Sequence, residues 1–341
     1  MADKKPTCII VLGMAGSGKT TFVKTLTSYM IEQRLSIYTI NLDPGCASIP
    51  YPVKIDIRDT VKYKDVMKHY NLGPNGAIVT SLNLFATKFT EVLDLLDKRS
   101  KETDYIIIDT PGQIEVFTWS ASGQIITETL ANVYPTVIIY VADSAKCISP
   151  VTFMSNMTYS CSIMFKTKLP LVLALNKSDV VFPSFAIKWM TDFQSLSDEI
   201  EATSETYGIN SRLTYSLSLA LDDYYSTLKA VPVSALERTG FDKIIKAIEG
   251  ARVEYETDYK VAYNKLMERK LETDREKASS SSRRAQSDME MDIGMHLKSH
   301  GLEDSADEED EKLDIDETDE VKYEDFFKAH SKKVKPKGQA E

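Results

Sequence analysis

Gly13-Met14-Ala15-Gly16-Ser17-Gly18-Lys19-Thr20 is the stretch that decides how this chain is read. It matches the pattern G-x-x-x-x-G-K-[ST] in full. An apolar run at 8–12 leads into it, and an amphipathic segment with Phe22, Val23, Leu26 and Met30 on one face follows. A strand entering such a loop and a helix leaving it are the context the pattern needs. Glycines let backbone N–H groups approach phosphate oxygens, Lys19 carries charge to the β and γ phosphates, and Thr20 offers a hydroxyl to Mg²⁺. The helix N-terminus adds partial positive charge. Gly13, Gly16, Ser17, Gly18, Lys19, Thr20 and Thr21 are the expected phosphate-binding set.

Outward from this loop, further short apolar runs lie at 36–42, 105–108, 137–141, 169–175 and 230–233, separated by turn residues and polar, helix-like sequence. Buried strands alternating with helices predict an α/β P-loop NTPase fold, a doubly wound and mostly parallel sheet covered on both faces. The segment 182–228 is longer than a crossover requires. Its apolar residues Phe185, Trp189, Phe193 and Leu196, then Leu213, Leu217, Leu221 and Tyr225, fall at helical spacing and predict a helical insertion within the domain. A last helix is expected from 241 to about 275.

Base identity is read from Asn176-Lys177-Ser178-Asp179, an N-K-x-D sequence at the end of a predicted strand, where open α/β sheets bind ligands. An Asp carboxylate there accepts from guanine N1–H and the 2-amino group together. Adenine offers no such pair, so a buried Asp179 would be left unpaired with ATP, and GTP is the expected ligand. Ser234 and Ala235, after the next strand, sit where a loop would close over the base. Between these motifs, Asp109 ends the run Tyr105-Ile-Ile-Ile-Asp109-Thr110-Pro111-Gly112-Gln113. A strand-end carboxylate can reach Mg²⁺ through water, Gly112 N–H can sense the γ-phosphate, and the Gln113 amide can orient an attacking water or merely bind backbone.

These motifs in this order, with Gly73-Pro74-Asn75 between the first two, resemble the GPN-loop GTPase family. Further matches are Asn41-Leu-Asp43-Pro44, the stretch Asn71 to Asn83 around the tripeptide, and Trp119-Ser-Ala-Ser-Gly123; the likeness spans about 7–275. Gly45 departs from the Ala more usual after Asp-Pro, without touching any role. The long tail makes the chain most similar to the first eukaryotic paralogue. The resemblance implies two protomers facing each other across their nucleotides, as a homodimer or a heterodimer with another GPN-loop GTPase, with Asn75 reaching into the partner's site. It makes Asp43 the residue that positions or deprotonates water. Catalysis is thereby expected from Asp43, Gln113, Asn75 and Lys19, with Thr20 and Asp109 as metal ligands and GTP, GDP and Mg²⁺ as the bound groups. In the tripeptide, Gly73 is expected to permit a tight turn that Pro74 stiffens. The family's association with assembly and nuclear import of RNA polymerase II implies polymerase subunits or assembly factors and the nuclear transport machinery as partners. A cytoplasmic protein that shuttles to the nucleus follows. An assembly adaptor with slow, incidental turnover is the alternative; a P-loop kinase is disfavoured, because kinases need no N-K-x-D.

Composition excludes several other classes. The 341 residues are 43% hydrophobic and 27% charged, ordinary for a globular protein and unlike a collagenous or disulfide-framework chain. Of 51 acidic and 41 basic residues, 18 and 10 lie in 278–341, so a nearly neutral body at 1–277 precedes an acidic tail expected to be disordered. A net charge of −10 argues against direct nucleic-acid binding or an anionic membrane surface. Cys8, Cys46, Cys147 and Cys161 have no paired spacing and read as reduced thiols. The weakly apolar stretch Met289 to Leu302 reads as a docking segment, an export signal or plain disordered linker, and the basic cluster Lys332 to Lys337 as an import signal or an ordinary basic end.

Overall fold

Alternate residues of the first strand serve two different cores. In β1 (Thr7–Leu12), Cys8, Ile10 and Leu12 belong to one buried cluster, and Ile9 and Val11 to another. That is the signature of a strand covered on both faces, which is why the run is apolar throughout rather than alternating. The computed structural model describes residues 5–203, 209–262 and 264–265. Its sheet has seven strands, all paired parallel, in the order β3-β2-β4-β1-β5-β6-β7. The remaining strands are β2 (Ile37–Asn41), β3 (Ile55–Asp56), β4 (Tyr105–Asp109), β5 (Thr136–Asp143), β6 (Leu171–Asn176) and β7 (Lys229–Pro232). The six expected strands are all present; β3, with two residues, carries too little pattern to read.

One face of the sheet is covered by α1 (Lys19–Glu32) and α13 (Phe241–Glu254), which bury Phe22, Val23, Leu26 and Met30 and Phe241, Ile244, Ile248 and Ala251 at helical spacing. Each such side chain stabilises the fold by roughly 1.5–3 kcal/mol for the larger ones. The other face carries α4 (Pro74–Ala86), α5 (Phe89–Arg99), α6 (Ile114–Thr118), α7 (Ala121–Val133) and α8 (Pro150–Thr167). Between β3 and α4 lie α2 (Ile57–Thr60) and α3 (Tyr63–His69). The Trp119-to-Gly123 motif is architectural: Ser120 Oγ caps α7 by accepting from Gly123 N–H at 3.0 Å.

The insertion is helical, as expected. It breaks at Asp192 into α9 (Ser184–Thr191) and α10 (Phe193–Ala202), and continues as α11 (Ile209–Ala220) and α12 (Asp222–Thr227). Trp189 packs edge-on to Phe153 of α8, with ring centroids 5.3 Å apart, and Leu196, Leu221 and Tyr225 join the same core. Leu213, expected on the buried side, is exposed instead. The last α-helix runs to Glu254, passes through a π-helical turn at Tyr255–Tyr259 and is helical again at 260–262 and 264–265; the rest of the expected span, to about 275, lies outside the described residues. One compact unit runs Met1–Tyr263. The tail at 278–341, with its docking stretch and basic cluster, lies outside the described residues.

Candidate active site

Every sequence-expected site residue except Asn75 sits at, or just beyond, the C-terminal end of a strand. β1 delivers the loop 13–18, and α1 begins at Lys19 with Gly18 as its N-cap in a left-handed conformation, φ 90°. A side chain at Gly18 would place its Cβ 2.6 Å from Asn176 Nδ2, and one at Gly13 would fall 2.3 Å from the Val141 carbonyl oxygen. The loop therefore needs glycine for room as well as for conformation. Lys19, 6% exposed, folds back over the loop and donates to the carbonyls of Gly13 (2.8 Å), Met14 (3.1 Å) and Gly112 (3.0 Å). Burial lowers its pKa, opposed by the nearby charges of Asp109, Asp43 and Glu115.

Asp109 ends β4 beside this lysine. Burial raises its pKa to about 6, against a hydrogen bond from Tyr51 and the Thr20 hydroxyl, which both lower it. Tyr51 Oη donates to Asp109 Oδ2 at 3.0 Å. Asp109 Oδ1 and Ser17 Oγ are buried and have no hydrogen-bond partner within the protein among the described residues. Other buried oxygens among the described residues lack a partner too, those of Thr27 and Ser81 included, but Ser17 Oγ and Asp109 Oδ1 stand in the phosphate loop and at the neighbouring strand end, and a carboxylate oxygen with hydroxyls beside it is a donor set that fits a hard cation. Thr20 and Asp109 would hold Mg²⁺ there. Asp43, half-buried after β2, has its pKa raised by burial and lowered by hydrogen bonds from Gly45 N–H (2.9 Å) and Gly112 N–H. Asn41 fixes the same turn, accepting from Asp43 N–H at 3.1 Å and donating to Asp56 Oδ1 at 3.0 Å. Asp56 in turn grips Arg58 Nη2 at 2.7 Å, and Arg58 Nη1 reaches the Cys46 carbonyl at 3.1 Å. Arg58 is thus a clamp on the Asp43 turn.

The base end is tied to the phosphate loop by two side chains. Asn176 Nδ2 donates to the Ser17 carbonyl at 2.9 Å and Asn176 Oδ1 accepts from Ala235 N–H at 3.1 Å. Lys177 Nζ donates to the Gly16 carbonyl at 3.0 Å and pairs with Asp143 Oδ2 at 2.6 Å. Ser234 Oγ donates to Asp179 Oδ1 at 2.5 Å, which aims the carboxylate. Asp179 is itself exposed, so it is not a carboxylate buried in advance by the protein, as the sequence argument assumed. Ser17 is buried, whereas Thr21 lies exposed in the first turn of α1.

Gln113 is half-exposed at the N-cap of α6, and none of its side-chain atoms has a hydrogen-bond partner among the described residues. The Gly-Pro-Asn tripeptide is not a tight turn. Gly73 is extended (φ −69°, ψ 171°) and caps α4, with Pro74 in its first turn, the position where a missing N–H costs nothing. Positive φ falls two residues earlier, at Asn71. Asn75 is exposed and is not brought onto this chain's own Asp43 or Lys19 by any hydrogen bond among the described residues. The first turns of α4 border the Asp43 turn: a Cβ on Gly45 would lie 3.8 Å from Ile78 Cδ1.

Tyr51, Asp56 and Asp143 were not anticipated. Asp143 had a legible signal, since it ends an apolar strand as Asp109 does. Tyr51 had none. No group of three or more potential metal-ligating His, Cys, Asp or Glu side chains occurs among the described residues, and no helix among them is long and apolar enough to cross a membrane.

Comparison with known proteins agrees with this geometry. Residues 11–253 match the family model described as conserved hypothetical ATP binding protein. The chain is 50% identical over 295 residues to GPN-loop GTPase 1 of Dictyostelium discoideum, covering 86% of this chain and 74% of that one. It is 44% identical to GPN-loop GTPase 1 of Saccharomyces cerevisiae, covering 91% and 81%. Among solved structures it is similar to PAB0955, a GTPase in apo form from Pyrococcus abyssi, with a TM-score of 0.63 at 27% identity over 74% of this chain and 98% of that one. The family description names ATP, but the relatives are named GTPases, and Asp179 held by Ser234 presents the acceptor that guanine needs.

Proposed function

This chain belongs to the GPN-loop GTPase family, in its first-paralogue group, and hydrolyses GTP to GDP and phosphate; from that premise we propose that it works as a Mg²⁺-dependent, dimeric switch in the assembly and nuclear import of RNA polymerase II. The observation that carries the dimer is the Gly-Pro-Asn segment. Asn75 is exposed on the first turn of a helix that borders the Asp43 turn, so its amide is free to enter a facing protomer's phosphate site.

In the reaction, loop N–H groups and Lys19 stabilise charge developing on the β and γ phosphates. Lys19 exchanges its Gly112 carbonyl for a γ-phosphate oxygen, releasing the 109–113 segment to adjust to the nucleotide. Thr20 and Asp109 would hold Mg²⁺, which would supply positive charge to offset the polyphosphate. Asp43, Gln113 and the facing protomer's Asn75 position the attacking water. Polymerase subunits or assembly factors and the transport machinery are its partners, and it shuttles between cytoplasm and nucleus. A specific observation favours slow turnover within this scheme. The Asp43 carboxylate is engaged by two backbone N–H groups, so water activation waits on a rearrangement of that turn.

Light scattering of the purified chain in GDP and in a non-hydrolysable GTP analogue tests the switch. Doubling of mass in the analogue is expected of a homodimer; a monomer in both states refutes it, and a monomer that also fails to pair with another GPN-loop GTPase refutes the dimer altogether. Complementation separates the two uses of GTP. If Gln113→Leu with Asn75→Ala binds GTP, releases no phosphate and still supports polymerase import, binding is the working step and hydrolysis is incidental.

A further inference from the structure

Lys146 has no role in the site as described so far, and no sequence motif marks it. It opens a short 3-10 turn at Lys146–Ile148, just beyond β5, and its backbone N–H is held by Asp143 Oδ1 at 3.4 Å. Its side chain is exposed, and neither an ion pair nor a hydrogen bond engages its ammonium among the described residues. The ammonium is nonetheless brought to the phosphate loop: Nζ lies 3.6 Å from where a Cβ on Gly16 would stand, the one heavy atom within 4 Å of that point. Gly16 is the apex of the loop and is exposed.

We propose that Lys146 is a nucleotide-binding residue that contacts the α and β phosphates of the bound guanine nucleotide. Charge pairing singles it out. Lys177, the other ammonium at Gly16, is neutralised by Asp143 at 2.6 Å, whereas Lys146 keeps its full charge for a ligand. Position along the nucleotide follows from what each end of the loop touches. Lys19 reaches Gly112 beside Asp109, the γ-phosphate and metal end. Gly16 is tied to Lys177 of the base motif, the sugar end. A cation at Gly16 therefore meets the phosphates nearest the ribose, which GTP and GDP share. Lys146 holds product as firmly as substrate and so slows exchange, complementing Lys19, which acts at the bond that breaks.

This inference rests on the guanine-nucleotide reading of the site, and the experiment separates their failures. Fluorescent mant-GTP and mant-GDP are titrated against the full chain, Lys146→Ala and Lys146→Arg at low and high salt, with thermal melting of each. Lys146→Ala is expected to weaken GTP and GDP equally, about fivefold at low salt, as suits an exposed charge pair. The loss should shrink at high salt, GDP release should speed by a similar factor, and Lys146→Arg should restore affinity. Equal affinities of Lys146→Ala and the parent for both nucleotides would overturn the proposal. So would a loss insensitive to salt and accompanied by a lower melting temperature, which marks a structural role, or a loss confined to GTP, which marks the γ-phosphate. If the unaltered chain bound neither probe, the site reading itself would fail.

Discussion

Replacing Asn176 with alanine should loosen the protein and its nucleotide together. Asn176 is 2% exposed and bridges two loops, donating to the Ser17 carbonyl at 2.9 Å and accepting from Ala235 N–H at 3.1 Å. Ser17 and Ala235 are also buried, so water cannot substitute readily for the lost amide. Each buried group left without a partner costs about 1–3 kcal/mol, which puts the destabilisation at roughly 2–6 kcal/mol for the pair. For a domain of this size that corresponds to a melting temperature lower by about 5–15 °C. Because the same bridge sets the distance between phosphate loop and base loop, part of the loss appears in binding. About 1.4 kcal/mol of it would weaken GTP about tenfold. The assay is urea unfolding of the chain without nucleotide, followed by isothermal titration with GTP, GDP and XTP. All three nucleotides should weaken alike, since Asn176 holds the frame rather than reading the base. Unfolding free energy within about 0.5 kcal/mol of the parent, or a loss confined to GTP, would refute the bridging role.

Asp179→Asn is expected to reverse base preference, weakening GTP by about 100-fold through two lost charge-assisted hydrogen bonds and improving XTP; competition binding reads it, and unchanged GTP affinity would sink the guanine assignment. Tyr51→Phe removes a hydrogen bond that lowers the Asp109 pKa, so in the protein free of metal and nucleotide the carboxyl should stay protonated to higher pH than in the parent; an unchanged Asp109 titration, followed by carboxyl NMR, would show that Tyr51 does not tune it. Arg58→Ala breaks the charge-assisted pair with Asp56 and should cost about 2 kcal/mol in chemical denaturation. Burial raises the Asp56 pKa, but the Arg58 and Asn41 hydrogen bonds outweigh it and leave the net value lowered. Its stabilising contribution is therefore present above the ordinary carboxylate value of 3.8 and lost as pH falls through the lowered one. In Arg58→Ala that acid-side loss should largely vanish; stability curves of parent and variant that run parallel into acid would contradict the clamp.

The sheet and the chemistry of its strand ends were legible because both write local patterns. A fully buried parallel strand must be apolar along its length, so β1, β4, β5 and β6 announce themselves, and a phosphate loop must use glycine where a Cβ would strike Val141 or Asn176. What stayed hidden depends on contacts between distant residues. Tyr51 is 58 residues from the Asp109 it donates to, and nothing around it in the sequence marks a buried phenol in an otherwise ordinary loop. No local pattern marks Arg58, because its partners, the Cys46 carbonyl and Asp56, are arranged by a strand of only two residues. Gly-Pro-Asn read as a turn on residue preference, but proline is equally suited to the first turn of a helix, and that is where Pro74 sits. The role of Asp179 demands desolvation, yet nothing among the described residues covers it, and no sequence pattern tells a carboxylate that the protein buries from one that a ligand would.

The position of β1 in the sheet bears on how the chain is made. β1 is the first strand to leave the ribosome, and its two neighbours are β4 and β5: Thr7 stands opposite Tyr105, and Cys8 opposite Thr136. At ordinary synthesis rates its second neighbour follows on the order of ten seconds later. Until β4 has been made this six-residue apolar strand has both hydrogen-bonding edges open, because β2, made next, pairs with β3 and β4 and never with it, and one edge stays open until β5 follows. The sheet cannot close around its central strand until about residue 143 has emerged, and a ribosome stalled earlier presents that strand with an edge unpaired.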